Sequence, residues 1–312
     1  MEIRTYRSGD EVAQVSIYNE AGSDLPKFKV ATLDEVRRRA RAADYDATAR
    51  FLVLADGKPI AYGSFHTNGR VSYPWCRKGH EAAAQPLFEH VLQAMKTRGL
   101  TYAFAAYRAD WPAQLAFFQN NGFESKREMV NFVLDIVEMP TPMARPSAGI
   151  GPATPEDVPA ILELGANVLR LHDGAALETY LFRNPYFSAE SVFVLRSRTG
   201  ETPLAVAILV ANPAYANPRQ VDADMPCFRL GAFGTEGTTT KRINGLFSFL
   251  IADARDAHPL VLDLLGYAAY RLQDTDVETF SAQVPSDAGH LLRFYKQYFQ
   301  RQGSFPLLER TL

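Results

Sequence analysis

Two stretches of the chain gather residue types that could hold an anion. The first reads Trp75-Cys76-Arg77-Lys78-Gly79-His80-Glu81-Ala82-Ala83-Ala84, two adjacent cations followed by residues small enough to let a ligand reach the backbone. The second begins at Phe233, Gly234 and Thr235, continues through Gly237 and Thr238 to Thr240, and reaches Arg242, Asn244 and Gly245. Each is read as a loop that leaves a strand and enters a helix. The first turn of a helix has unpaired N–H donors and the positive end of the helix dipole, so such a passage suits a phosphate or pyrophosphate. Glycine and threonine add backbone and hydroxyl donors in the second stretch. The competing readings are a solvated loop at Arg77 and Lys78, and a surface turn at 234–242.

The elements that position these stretches occur twice. Asp110 to Phe123 reads DWPAQLAFFQNNGF, and Asp287 to Phe299 reads DAGHLLRFYKQYF. In both, an Asp follows an apolar run, a Leu stands five residues later (Leu115, Leu292), and an aromatic pair stands at seven and eight (Phe117-Phe118, Phe294-Tyr295). The match extends backwards. Ile3 precedes Asp10 and Ile150 precedes Asp157 by the same seven residues, and FLVL from Phe51 answers VFVL from Val192. The second copy carries about 36 more residues between those points. Repeats of this length are domains rather than solenoid units. The segment 139–148, with three prolines and no periodicity, separates residues 1–138 from residues 149–312.

In the first copy, period-two and helical patterns predict a strand over 2–6, a helix cap at Ser8-Gly9-Asp10 and a helix with Val12, Val15 and Ile17 on one face. A second helix opens at Thr32-Leu33-Asp34-Glu35 and contains Arg37, Arg38, Arg39 and Arg41, either an anion-binding face or a solvated one. A hairpin follows, turning at Asp56-Gly57, then a strand over 70–76, a long helix with Leu87, Phe88, Val91, Leu92 and Met95 on one side, a strand over 102–107, the helix after Asp110, and a last strand over 129–136. The second copy repeats the order. Its strand at 227–233 leads to a helix predicted over 243–254, 260–272 is read as an extra helix, and the chain ends in a strand over 305–312.

Length, at 312 residues, allows two domains, and 47% hydrophobic with 22% charged residues is an ordinary globular composition. No apolar run approaches a membrane span and no signal peptide opens the chain. A net charge of −2 gives no electrostatic footprint for nucleic acid. Two cysteines, Cys76 and Cys227, make no disulfide framework; a cytoplasmic location is expected, and both are read as small buried hydrophobes.

The element order, the duplication and the segment Phe117-Phe118-Gln119-Asn120-Asn121-Gly122-Phe123 resemble the GNAT superfamily of N-acetyltransferases, in tandem over essentially the whole chain. The resemblance implies an α/β (α+β) fold of two GNAT-type acyl-CoA acyltransferase domains, each a mixed, mostly antiparallel sheet flanked by helices. It implies acetyl-CoA, or another acyl-CoA, as cosubstrate without a metal, and a small-molecule or peptide amine as acceptor, with no nucleic-acid or membrane partner. The protein would be a monomer or homodimer.

In that family the anion is the pyrophosphate of coenzyme A, held by an Arg/Gln-x-x-Gly-x-Gly/Ala loop, and the splayed strand before it pairs with the pantetheine arm. Both copies depart from the pattern. Gly79 stands where the Arg or Gln is usual, with Ala82 and Ala84 at the glycine places; the second copy keeps Arg242-Ile243-Asn244-Gly245. The family's general acid, a tyrosine that protonates the departing thiolate, would be Tyr295, where the first copy has Phe118. Asp222 and Asp224, or Glu20 and Asp24 in the first copy, could hold a water that deprotonates the amine. The expected protein is an N-acyltransferase with one domain degenerate, either half being able to hold the acyl donor. The alternative is a tandem GNAT-fold binding or sensing protein without turnover.

Overall fold

The computed structural model describes residues 1–41, 45–142, 149–165, 168, 173–183, 188–197, 202–210, 244–252 and 257–312. They fall into two compact units, Met1–Arg127 with Phe305–Leu312, and Glu128–Ser304.

The first unit opens with β1 (Glu2–Thr5), α1 (Glu11–Gly22) and α2 (Leu33–Arg39). β2 (Arg50–Ala55) and β3 (Lys58–Ser64) form an antiparallel hairpin whose turn residues Asp56 and Gly57 both have positive φ, +49° and +74°. That conformation twists the turn with the strands and explains the Asp-Gly pair. β4 is short, Trp75–Cys76, and pairs with β3; β1 pairs with β2 on the other side. α3 (Ala84–Thr97) buries Leu87, Phe88, Val91, Leu92 and Met95, the stripe that its spacing predicts. β5 (Tyr102–Ala106) and α4 (Pro112–Asn120) follow.

Several local expectations are corrected. Asp10 does not cap α1 through its side chain; its carboxylate takes both terminal nitrogens of Arg4, at 2.7 and 2.9 Å, and the Arg7 N–H. Of the residues predicted on the buried stripe of α1, Ile17 is buried but Val12 is exposed. α2 opens where expected and starts with a capping box, Thr32 and Glu35 bonding each other's backbone N–H. Arg37, Arg38, Arg39 and Arg41 are exposed on it.

In the second unit β7 (Ile150–Pro152), β8 (Val192–Arg196), β9 (Pro203–Val210) and β10 (Asn244–Ile251) pair antiparallel in that order. β10 then pairs parallel with β11 (Thr279–Pro285). Helices α5 (Val158–Gly165), α6 (Gly174–Phe182), α7 (Ala257–Leu272) and α8 (Gly289–Tyr298) accompany the sheet. The residues predicted as a helix over 243–254 form, where described, the strand β10. Burial on both faces explains this: Phe247, Ser248, Phe249, Leu250 and Ile251 are all buried, so the strand reads as a continuous, mostly apolar run that does not alternate. The helix read as an extra one is α7, the helix that follows this strand. The strand predicted over 227–233 lies outside the described residues.

The last strand of each half belongs to the other unit. β6 (Glu124–Asp135) places Met129–Asp135 against β11 in the second unit. β12 (Gln300–Thr311) places Leu307–Thr311 against β5 in the first. The expected boundaries at 138 and 149 follow the chain, whereas the packing units exchange these strands. Among the described residues no helix is long and apolar enough to cross a membrane.

Candidate functional site

In the first unit the segment before β4 runs parallel to β5 for one step. Val71 N–H donates to the Phe104 carbonyl and Phe104 N–H to the Gly69 carbonyl, both at 2.9 Å. Beyond it, among the described residues, no ladder pair joins β4 to β5. The gap is filled from within. The Tyr73 N–H donates to the Tyr107 hydroxyl at 2.6 Å. Trp75 is buried against the rings of Tyr18 at 4.9 Å, Tyr73 at 5.1 Å and Trp111 at 6.3 Å. Cys76 is buried in the neighbouring cluster with Ala61 and Leu87, its thiol directed at the Pro74 carbonyl, and burial pushes that thiol up to about 12.

The loop that follows is also satisfied internally. Arg77 donates from Nε to the Pro59 carbonyl at 3.0 Å and from Nη1 to Glu20 Oε2 at 2.5 Å. The other Glu20 oxygen accepts the Lys78 N–H at 3.1 Å, and the Lys78 ammonium meets Asp24 Oδ2 at 2.8 Å. Gly79, at φ +83°, has open space where a Cβ would stand, but its N–H goes to Glu81 Oε1 at 3.0 Å. His80 and Ala82 are exposed, Ala83 is buried, and Ala84 begins α3. Glu20 and Asp24, candidates for activating a water, are thus ion-paired. The hydrogen bond from Lys78, with a smaller one from Ser23, holds the Asp24 carboxyl below its ordinary range, which makes it a poor base.

The second unit has the same fork. β10 and β11 pair at Asn244–Thr279, Gly245–Phe280 and Leu246–Ser281, and no further ladder pair joins them among the described residues. One residue past the last pair, the Phe247 carbonyl accepts the Tyr295 hydroxyl at 3.2 Å. Tyr295 reaches it from α8, its ring stacked on Phe132 at 5.5 Å and packed against Phe249 and Phe299. Burial raises its phenol far above the ordinary value, so it stays protonated. Phe118 holds the matching place on α4 and is fully buried with no hydroxyl.

Solved structures match this architecture along the whole chain. A GCN5-related N-acetyltransferase from Sphaerobacter thermophilus superposes with a TM-score of 0.60 at 16% identity, over 99% of this chain and 95% of its own. A tandem GNAT protein from the clavulanic acid biosynthesis pathway gives 0.56 at 12% identity, over 99% and 98%. An N-myristoyltransferase from Saccharomyces cerevisiae gives 0.50 at 9% identity, over 99% of this chain and 78% of its own. The fold is that of the GCN5-related N-acetyltransferases. No protein-family model matches the sequence, and no curated protein does.

Within the GNAT fold the two anion-site candidates fare differently from expectation. Asn244 and Gly245 do not open a helix; they lie on β10, where Gly245 allows a close approach, since a Cβ there would meet Val277 at 2.8 Å. Phe233, Gly234, Thr235 and Arg242 lie outside the described residues, as do Asp222, Asp224 and Cys227. In the second unit the described strand that precedes a helix is instead β10, which α7 follows. A signal for it was present in the sequence: Ala84-Gln85-Pro86-Leu87 opens α3 and Ala257-His258-Pro259-Leu260 opens α7. Tyr107 was not singled out from the sequence. Only its position one residue past β5, opposite the Tyr73 amide, reveals its part.

Proposed function

We propose that the protein is an acyl-CoA-dependent N-acyltransferase whose working site lies in the second unit, the first unit having no free cofactor site. The observation that carries this reading is the Tyr295 hydroxyl at the mouth of the β10–β11 fork. The corresponding fork of the first unit is occupied by Tyr107 and Trp75, and its loop donors are taken by Glu20, Asp24 and Glu81. Those residues as arranged do not fit coenzyme A: both the backbone amide at the fork and the cations of the loop are already engaged.

When a thioester transfers its acyl group to an amine, the amine adds to the carbonyl and a thiolate leaves. Tyr295 is placed to give that sulfur a hydrogen bond from the fork, exchanging its bond to the Phe247 carbonyl for it. A raised phenol pKa makes full proton transfer to a thiolate, whose conjugate acid lies near ~8.5, uphill. The role that fits is a neutral donor which stabilises the departing charge. The amine acceptor is taken to be a small molecule or a peptide, and the donor acetyl-CoA or a longer acyl-CoA.

A second reading, a GNAT-fold binding protein without turnover, is favoured by the same hydroxyl, which is buried and already bonded to a main-chain carbonyl as a structural tyrosine would be. Turnover of acetyl-CoA with an amine acceptor separates them, and calorimetric titration with acetyl-CoA locates the donor. One site per chain, retained in Arg77→Ala/Lys78→Ala, agrees with the first reading. Two sites per chain, or a site lost with Arg77 and Lys78, puts the donor in the first unit. No heat up to millimolar acetyl-CoA leaves the second reading.

A further inference from the structure

Glu20 does in the first unit what a phosphate would do. One carboxylate oxygen faces the Arg77 guanidinium at 2.5 Å and the other accepts the Lys78 main-chain N–H at 3.1 Å. One side-chain cation and one backbone amide of the loop before α3 are donors that a phosphate oxygen pair could equally take. Asp24, two residues past the end of α1, neutralises Lys78, and Glu81 holds the Gly79 N–H from the α3 side. Three carboxylates therefore face two cations in this loop. All three belong to the first unit, and two of them come from the end of α1 and the turn after it.

We propose that the end of α1 and the turn after it close the anion site of the first unit with their carboxylates, Glu20 and Asp24 acting as an internal counter-ligand that keeps phosphate-bearing molecules out. Arg77 is half-sheltered and fixed by the Pro59 carbonyl, so the guanidinium stays pointed at this place whether or not Glu20 is charged. Gly79 leaves open space on the backbone side. The loop thus has cations, N–H groups and room, and lacks only an unoccupied binding position. An incoming pyrophosphate would have to displace Glu20 and stand beside Asp24 and Glu81, and like charges at such range repel. This closure deepens the assignment of the acyl donor to the second unit but does not require the protein to be an enzyme.

The test replaces charge without volume. Inorganic pyrophosphate is titrated calorimetrically, at low ionic strength, into the full chain, into Glu20→Gln/Asp24→Asn, and into the same double variant carrying Arg77→Ala. The double variant is expected to gain one pyrophosphate site per chain, at least about tenfold tighter than any binding at this loop in the parent, and Arg77→Ala is expected to remove it. A double variant that keeps the parent's tryptophan fluorescence and gains no site overturns the proposal. So does a parent that already binds pyrophosphate through Arg77. If the double variant does not fold, Glu20→Gln alone is judged by the same gain or lack of gain. Acetyl-CoA titrated into the parent reports separately on the second unit, so failure of one reading does not mimic failure of the other.

Discussion

Gln85, in the first turn of α3, and Asn121, at the end of α4, exchange two side-chain hydrogen bonds, at 2.9 and 3.2 Å. In the second unit the equivalent places are filled by His258, in the first turn of α7, and Tyr298, at the end of α8, whose rings lie 6.2 Å apart. The same helix–helix contact is made twice, once by carboxamides and once by aromatics. It fixes the register between the halves: Asn121 stands three residues after Phe118, and Tyr298 three after Tyr295. Phe118 and Tyr295 are therefore true counterparts, and the hydroxyl is the difference between them.

Removing that hydroxyl should separate structure from chemistry. Tyr295→Phe keeps the stacking on Phe132 and loses one buried hydrogen bond, so stability should fall by about 1 kcal/mol. If the second unit transfers acyl groups, turnover should fall about 10- to 100-fold while acetyl-CoA affinity stays within about twofold. Thermal unfolding and acetyl-CoA turnover, followed by free-thiol release with an amine acceptor, measure the two. Unchanged turnover would take Tyr295 out of the mechanism.

The exchanged strands predict a long-range effect of a short deletion. Phe305–Leu312 supplies β5 with its antiparallel partner, and Leu308 is buried in the core of the first unit. Removing residues 305–312 should expose the β5 edge and unravel that unit, nearly two hundred residues away in sequence. Both tryptophans, Trp75 and Trp111, are buried there, so their emission should shift to the red. An unshifted spectrum would mean that the first unit stands without its borrowed strand.

Cys76 should be inert. With its thiol buried and pushed up to about 12, almost no thiolate exists at neutral pH. In a Cys227→Ser variant, which leaves Cys76 as the remaining thiol, a disulfide reagent should react only as fast as the protein opens, and quickly in denaturant. Rapid labelling of the folded variant would place Cys76 in a reactive rather than a packing role.

Much of the fold was legible because its signals are local. The Asp56-Gly57 turn, the opening of α2 at Thr32, and the five apolar residues on α3 are each set by neighbours in sequence. The exchange of β6 and β12 is not. Both are long strands after equivalent helices, and either could pair with either copy of β5 or β11, so no local pattern distinguishes a strand kept from a strand exchanged. The helix expected over 243–254 was misread for a related reason. Phe247 and Phe249 on a doubly covered strand read as an apolar run, which fits a buried helix as well as a strand. In the first unit the cations were visible in sequence, but their capture by Glu20 and Asp24, more than fifty residues earlier, depends on tertiary contact alone.

Acid should act on the second unit through Asp157. Its carboxylate is buried, takes both terminal nitrogens of Arg196 at 2.7 and 2.9 Å, and accepts the Thr154 N–H at 2.8 Å. Burial alone would raise its pKa; the hydrogen bonds from Arg196 and Thr154 outweigh burial and hold it below the ordinary carboxylate range. A depressed folded pKa means that the stabilisation is fully present above the unfolded value, near ~3.9, and is lost as pH falls through the lower folded value. Asp157→Asn should therefore cost about 1.5–3 kcal/mol at neutral pH, because the hydrogen bonds from Arg196 and Thr154 lose their charged acceptor. The cost should shrink as pH falls below about 4, where the unfolded chain takes up a proton that folded Asp157 still resists, and vanish below the folded value. Denaturant unfolding of both proteins at pH 7 and at pH 3 measures it. A difference that does not depend on pH would assign the effect to packing at the start of α5 and not to the ion pair.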